Sequence, residues 1–269
     1  MEKVILSLDQ VNNIMEQINY GDNRHFIEGQ NFYKILVSSI LKYIIRHDRI
    51  KNDFSLNYSR VIEKQIYTLE EYGIWNWNDT VDILALLYYD DVFIGYVTKL
   101  IEDFKPLNEL STYDKGLINQ DQIIDLLIKS SRFAKKLHEN RISHGDYHKG
   151  NILSDGVDVR IIDFDDSCLI SKQKKVTYYE SPYADISHMN KNLITIFSQN
   201  DDLDYSDSIK GDLPKEISDY LKYFEYNNDW LKKGLVRSTM PSEYPHDFLE
   251  EFRNYEYVDD CFQKKLILK

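Results

Sequence analysis

Two short apolar runs, NILS (151–154) and VRIIDF (159–164), are separated by the turn-prone tetrapeptide DGVD. They follow a long amphipathic segment, and this ordering constrains the fold more than any other feature. In DQIIDLLIKSSRFAKKLHENR (121–141), Ile124, Leu127, Ile128, Ala134 and Leu137 fall on one face. Lys129, Lys135 and Lys136 decorate the other, which is the pattern of a helix laid on a core. Between that helix and the two runs lies the polar stretch HGDYHKGN (144–151). The expected order is therefore helix, polar loop, β-hairpin.

A hairpin joining the two runs brings Asn151 and Asp163 together at its outer end. One amide oxygen and one carboxylate, completed by phosphate oxygens, suit a hard octahedral cation such as Mg²⁺. Asp146, offset on the same loop, is then placed to face an incoming hydroxyl, orient it and accept its proton. His144 and His148 also stand in this loop, but nothing near them in sequence supplies the further soft ligands of a zinc site.

Composition narrows the alternatives. The 269-residue chain is 42% hydrophobic and 13% aromatic, enough to build a core. Its 33 Lys and Arg against 45 acids give a net charge of −12, which argues against nucleic-acid and anionic-membrane partners. Two cysteines, Cys168 and Cys261, are too few for a disulfide framework. The opening MEKVILSLDQ lacks the apolar run of a signal peptide, and no stretch reaches the length of a membrane span. A cytoplasmic setting is the expectation.

The first hundred residues read as strand–strand–helix–strand–strand. FYKILV (32–37) and LKYIIRH (41–47) form one expected hairpin. YSRVIEKQIYTLEEYG (58–73) carries Val61, Ile62, Ile66 and Leu69 at helical spacing before Gly73, and TVDILALLYY (80–89) with VFIGYVTKLI (92–101) forms a second hairpin across Asp90-Asp91. Leu107 and Leu110 suit a short helix. Beyond the acidic loop 199–212, ISDYLKYFEY and DFLEEFRNYEYV look helical.

HGDYHKGNIL followed by IIDFDDS resembles the catalytic loop and metal-binding motif of the protein-kinase-like superfamily. In its HGD form it is most similar to aminoglycoside phosphotransferases, choline kinases and related small-molecule kinases. The resemblance implies Asp146 as catalytic residue, Asn151 and Asp163 as metal ligands, and His144 as a brace for the loop. It implies Arg46, or Lys42 on the same strand, as the phosphate-binding cation, with Glu63 as its helix partner. Backbone groups near Lys99 to Ile101 would read the adenine edge, with Thr98 behind it. SPYADISHMNKNL resembles the start of the fold's large central helix, with Asp185 bracing the catalytic loop.

The chain departs from the family's pattern in two places. Gly21 and Gly29 do not form GxGxxG, and the usual DFG is Asp163-Phe164-Asp165, followed by Asp166. Asp163 and Asp185 lie only 22 positions apart, shorter than in a typical eukaryotic-type protein kinase.

The fold implied is α+β and bilobal: a small β-rich N-lobe (1–98) and a larger, mainly helical C-lobe (99–269). The function implied is an ATP- and Mg²⁺-dependent kinase acting on an acceptor hydroxyl, with a small molecule preferred as acceptor. An atypical serine/threonine protein kinase and an ATP-binding pseudokinase scaffold are the alternatives.

Overall fold

The structure, a computed structural model, describes residues 1–18, 25–35, 53–110, 120–170, 175–176, 181–198, 236–237, 241, 244–252, 255–260 and 263–268. It is mixed α+β, β-rich in the N-terminal part and helix-rich further on, and it divides into two compact units, Met1–Glu102 and Asp103–Lys269.

The first unit contains β1 (Glu2–Ile5), α1 (Leu8–Ile18), β2 (His25–Glu28), β3 (Asn31–Ile35), α2 (Asp53–Glu71), β4 (Ile83–Tyr89) and β5 (Val92–Lys99). These strands form a sheet in the order β1-β4-β5-β3-β2, in which β1 runs parallel to β4 and the other pairs are antiparallel. The β4–β5 hairpin is borne out. Asp90 and Asp91 turn it with φ of 48° and 59°, the left-handed pair that matches strand twist in a two-residue loop.

Side chains alternate across the sheet. Ala85, Leu87, Ile94 and Val97 pack with Leu6, Val11 and Ile14 around α1. Tyr88 points the other way, toward Glu63 of α2. Start signals for α1 are local: Gln10 Oε1 accepts the N–H of Ser7 at 2.8 Å and Ser7 Oγ accepts that of Gln10 at 3.3 Å, a reciprocal capping box.

Two expectations for this unit change. Both edges of β3 are occupied, by β5 and by β2, while 41–47, the expected partner of the run 32–37, lies outside the described residues. The neighbour is His25–Glu28, too short to stand out as a strand on its own, and joined to β3 through Gly29 at φ 61°. The second correction concerns α2, which starts at Asp53 rather than near 58, and whose Val61 is 52% exposed. Ile62, Ile66 and Leu69 are the residues that bury, and Gly73 follows in the left-handed region at φ 68°.

The second unit begins with β6 (Lys105–Pro106), α3 (Leu107–Leu110) and α4 (Gln120–Glu139). The short helix over Leu107 and Leu110 and the long amphipathic one are as expected. Ile124, Leu127, Ile128, Ala134 and Leu137 of α4 are all buried. Next come β7 (Ile142–Ser143), β8 (Ile152–Ser154), β9 (Val159–Ile161), β10 (Cys168–Leu169), β11 (Lys175–Val176) and α5 (Pro182–Ser198). β12 (Val236–Arg237), α6 (Pro245–Phe252), β13 (Tyr255–Asp260) and β14 (Gln263–Leu268) complete it.

β6, β8 and β9 form one small sheet, and β10 pairs with β7, β11 with β12 and β13 with β14. In the tail, the helix expected over DFLEEFRNYEYV stops at Phe252, and Tyr255–Asp260 is a strand paired with β14. Alternating Tyr255, Tyr257 and acids suit a strand better than a helix face. ISDYLKYFEY lies outside the described residues. No helix among the described residues is long and apolar enough to cross a membrane.

Candidate active site

The β8–β9 hairpin aligns Ile152 with Ile161, and the next rung is Ile162 N–H to Asn151 O at 3.0 Å. Asp163 therefore follows directly on the residue bonded to Asn151. Its backbone is left-handed, at φ 66° and ψ 61°, and it opens a 3-10 turn over Phe164–Asp166. A non-glycine residue there costs about 1–2 kcal/mol. The turn is held by burial of Phe164 and by Ser167 N–H bonding Phe164 O at 3.1 Å. Asp163 and Asp165 are partly exposed and Asp166 is exposed.

Asp146 stands on the loop between β7 and β8, partly exposed, over Asn151. Asn151 Nδ2 donates to Asp146 O at 2.9 Å and to Asp146 Oδ2 at 3.2 Å. His148 Nε2 lies 3.4 Å from the same Oδ2, while its Nδ1 accepts the N–H of Gly150 at 3.0 Å. The hydrogen bond from His148 holds the Asp146 carboxyl below its ordinary range, against an opposing push from burial. Reciprocally, Asp146 raises His148. Asp146 is thus a carboxylate with one oxygen engaged from both sides.

His144 is not a metal ligand, because both ring nitrogens are committed. Nε2 donates to Ile162 O at 2.9 Å and Nδ1 accepts the N–H of Asp146 at 3.3 Å. The ring is fully buried against Phe164, at 4.7 Å between centroids, and against Tyr147 edge-on at 5.3 Å. Among the described residues no group of three or more His, Cys, Asp and Glu side chains converges to hold a metal ion.

One face of α5 holds the backbone of this loop. Asp185 Oδ2 accepts the N–H of His144 at 2.8 Å, and Oδ1 that of Gly145 at 2.8 Å. One turn on, His188 Nδ1 accepts the N–H of Tyr147 at 3.2 Å. One further turn on, Asn192 Oδ1 accepts the N–H of Lys149 at 3.0 Å. Spacings of three and four align these side chains on one helix face. Burial pushes the Asp185 carboxyl up, but the hydrogen bonds it accepts, from the His138 ring and the His144 N–H among them, outweigh it and hold the group below its ordinary range. Burial depresses His188, which keeps Nδ1 available as an acceptor.

Tyr147, wholly buried, anchors the opposite side of the loop through its hydroxyl on Ser130 O at 2.7 Å. Gly145 has φ 83°, and a Cβ there would lie 2.4 Å from Asp166 O, so the backbone of this loop lies close against the turn after Asp163.

The remaining expected residues belong to the first unit. Glu63 lies on α2, where its carboxylate accepts the Tyr88 hydroxyl at 2.5 Å. Burial and that carboxylate push the Tyr88 hydroxyl up, so it stays a donor. Thr98 is buried, Lys99 is exposed at the end of β5, and Ile101 is partly exposed just beyond it. Arg46 and Lys42 lie outside the described residues.

Reading the sequence by residue type missed His188, Asn192, Tyr147 and the buried His138. For His188 and Asn192, the spacing from Asp185 along SPYADISHMNKNL, at three and seven positions, was the available signal. It carries meaning only once the helix is known to face the loop.

With this geometry in hand, the comparisons with known proteins are informative. Residues 98–171 match the phosphotransferase enzyme family, a segment that runs from the end of β5 through the loop of Asp146 and Asn151 to just past Asp163. No curated protein gives a significant match. Over this segment the chain is similar to the phosphotransferase enzyme family, a likeness that supports a phosphotransferase activity.

Proposed function

We propose that the protein is an ATP- and Mg²⁺-dependent kinase that phosphorylates a hydroxyl of a small molecule. In this reading the fold is the bilobal kinase-like one, with residues 1–98 covering the nucleotide and 99–269 carrying the chemistry. The observation that supports it most is the hairpin end, where Asn151 bonds the backbone of Ile162, next to Asp163, and its side chain bonds the offset Asp146. Bound Mg-ATP supplies the transferable phosphoryl group and a divalent charge to offset the charge that develops during transfer.

The donor set suits a hard cation, being one amide oxygen and one carboxylate. With Asn151 Nδ2 turned to Asp146, its carbonyl oxygen is the atom that would meet the ion, alongside the Asp163 carboxylate. Asp146 Oδ2 is engaged by Asn151 and His148, so Oδ1 is the atom that would orient the acceptor hydroxyl and take its proton. Nucleotide phosphates would meet Arg46 or Lys42 with Glu63 behind, and the adenine edge would meet the backbone from Lys99 to Ile101.

A small acceptor is favoured by the span from Asp163 to Asp185. It is only 22 positions long, and its described residues hold the turn over Phe164–Asp166 and the two-residue strands β10 and β11. That leaves little chain for docking a peptide.

The test is to supply labelled ATP together with either the small-molecule filtrate or the protein fraction of a lysate. Label is expected in a small molecule with wild-type enzyme and lost with Asp146→Ala, which should still bind Mg-ATP. Label confined to protein bands would reverse the acceptor class. Equal turnover in Asp146→Ala would remove Asp146 from its role.

A further inference from the structure

The hydrogen bonds that hold the Asp146 loop extend past Asp185 to the C-terminal helix. Asp185 Oδ2 accepts His138 Nε2 at 2.9 Å as well as the His144 N–H, and Ser143 Oγ lies 3.2 Å from it. A carboxylate only accepts, so His138 carries its proton on Nε2. On a neutral ring Nδ1 is then a lone-pair acceptor, and Tyr244 Oη sits 3.0 Å from it. Both His138 and Asp185 are fully buried and Tyr244 is 2% exposed, so water has no ready route to replace that hydroxyl. Burial also pushes the Tyr244 hydroxyl up, which keeps it a donor.

Tyr244 is itself held rigidly. It precedes α6, where Pro245 takes the first helical position, and Asp247 Oδ2 reaches back to the Tyr244 N–H at 2.8 Å. Two residues after Tyr244 the chain is tied to α4: His246 N–H donates to Ser131 Oγ at 3.1 Å, and His246 Nδ1 lies 2.9 Å from the same atom. The helix start is therefore pinned so that the tyrosine hydroxyl meets one ring nitrogen.

We propose that Tyr244 is a positioning residue for phosphoryl transfer: its hydroxyl fixes the His138 tautomer, through which Asp185 holds the backbone of His144 and Gly145 and so aims Asp146. This rests on the role given to Asp146 above. Without the hydroxyl, His138 Nδ1 is an unpaired buried acceptor, and the tautomer with its proton on Nδ1 turns a lone pair toward the Asp185 carboxylate. The two amides that share Asp185 then lose their fixed acceptor geometry.

Tyr244→Phe tests this in the full chain by hydrogen exchange and kinetics. Exchange at the His144 and Gly145 amides should quicken about tenfold, while amides of β4 and β5 stay unchanged. Turnover should fall about fivefold, with KM for ATP held within roughly twofold. In His138→Gln, which keeps an N–H toward Asp185 and has no second tautomer, adding Tyr244→Phe should change neither quantity. Ser131→Ala, which loosens α6 without touching the tyrosine hydroxyl, should leave the two amides as they are.

Unchanged exchange or unchanged turnover in Tyr244→Phe would overturn the role of Tyr244. So would an equal effect in the His138→Gln background, or equal opening in Ser131→Ala. Failure of Asp146→Ala to lose transfer would overturn the functional reading instead, leaving the exchange result to stand or fall on its own.

Discussion

Asp185 takes the backbone N–H of Gly145 at 2.8 Å across 40 positions of sequence. The same carboxylate takes the N–H of His144, so two consecutive peptide groups before Asp146 share one buried anchor. The backbone just before Asp146 is thereby held from a helix about 40 positions further along the chain.

Asp185→Ala should be among the most destabilising single changes in the second unit. It leaves the N–H groups of His144 and Gly145 and the His138 ring without their acceptor, at a cost of at least about 3 kcal/mol. Asp185→Asn returns one oxygen but turns an NH₂ toward the other donors, so it recovers only part. Urea midpoints at constant slope would measure both.

Gly145→Ala meets the chain twice over. The residue sits at φ 83°, and its new Cβ would lie 2.4 Å from a backbone oxygen, Asp166 O, that belongs to the turn after Asp163. A penalty above about 1 kcal/mol is expected, with a larger proportional loss of turnover because the loop and the Asp163 turn move apart. A kcat loss no greater than for an exposed Gly29→Ala control would count against this.

Asn192→Ala separates positioning from folding. It removes the acceptor for Lys149 N–H and a longer contact, 3.4 Å, to Tyr147 O, both on loop backbone downstream of Asp146. Stability should fall by roughly 1 kcal/mol. Turnover should fall several-fold with nucleotide affinity retained, as read by steady-state kinetics beside direct titration with nucleotide.

The buried His246 predicts a pH effect on stability. Burial holds its imidazole below the ordinary range, with smaller opposing and reinforcing contributions from Asp247, Lys135, Glu250 and Arg132. The unfolded chain therefore binds the proton more readily, and the folded state loses stability as pH falls below about 6.5. His246→Gln lacks that loss. The Tm of the wild type measured against this variant should decline between pH 7 and pH 5, and a constant difference would contradict it.

Much of the second unit was legible in the sequence. The face of α4 is written in its 3.6-residue periodicity, and the hairpin in two apolar runs around DGVD. Asp146, Asn151 and Asp163 followed from those two elements, because a two-strand hairpin leaves little freedom in which residues share its end. The first unit was less legible. β2 is a four-residue strand whose pairing depends on β3 beside it, and α1 begins from a cap of side chain to backbone that no apolar pattern announces. Val61 had the right type and spacing for a buried face and is exposed, since periodicity gives the face only to within about one residue on a helix.

What the sequence determined by itself is therefore local: the helix, the hairpin and the three polar residues brought to its end, each set by contacts among near neighbours in the chain. What only the tertiary structure decided is which distant groups hold them. Asp185, His188 and Asn192 act because α5 packs against the loop, and Tyr244 meets His138 across 106 positions because α6 is tied to α4. Buried backbone N–H groups and ring nitrogens must find partners wherever the fold supplies them, and no sequence period encodes that supply.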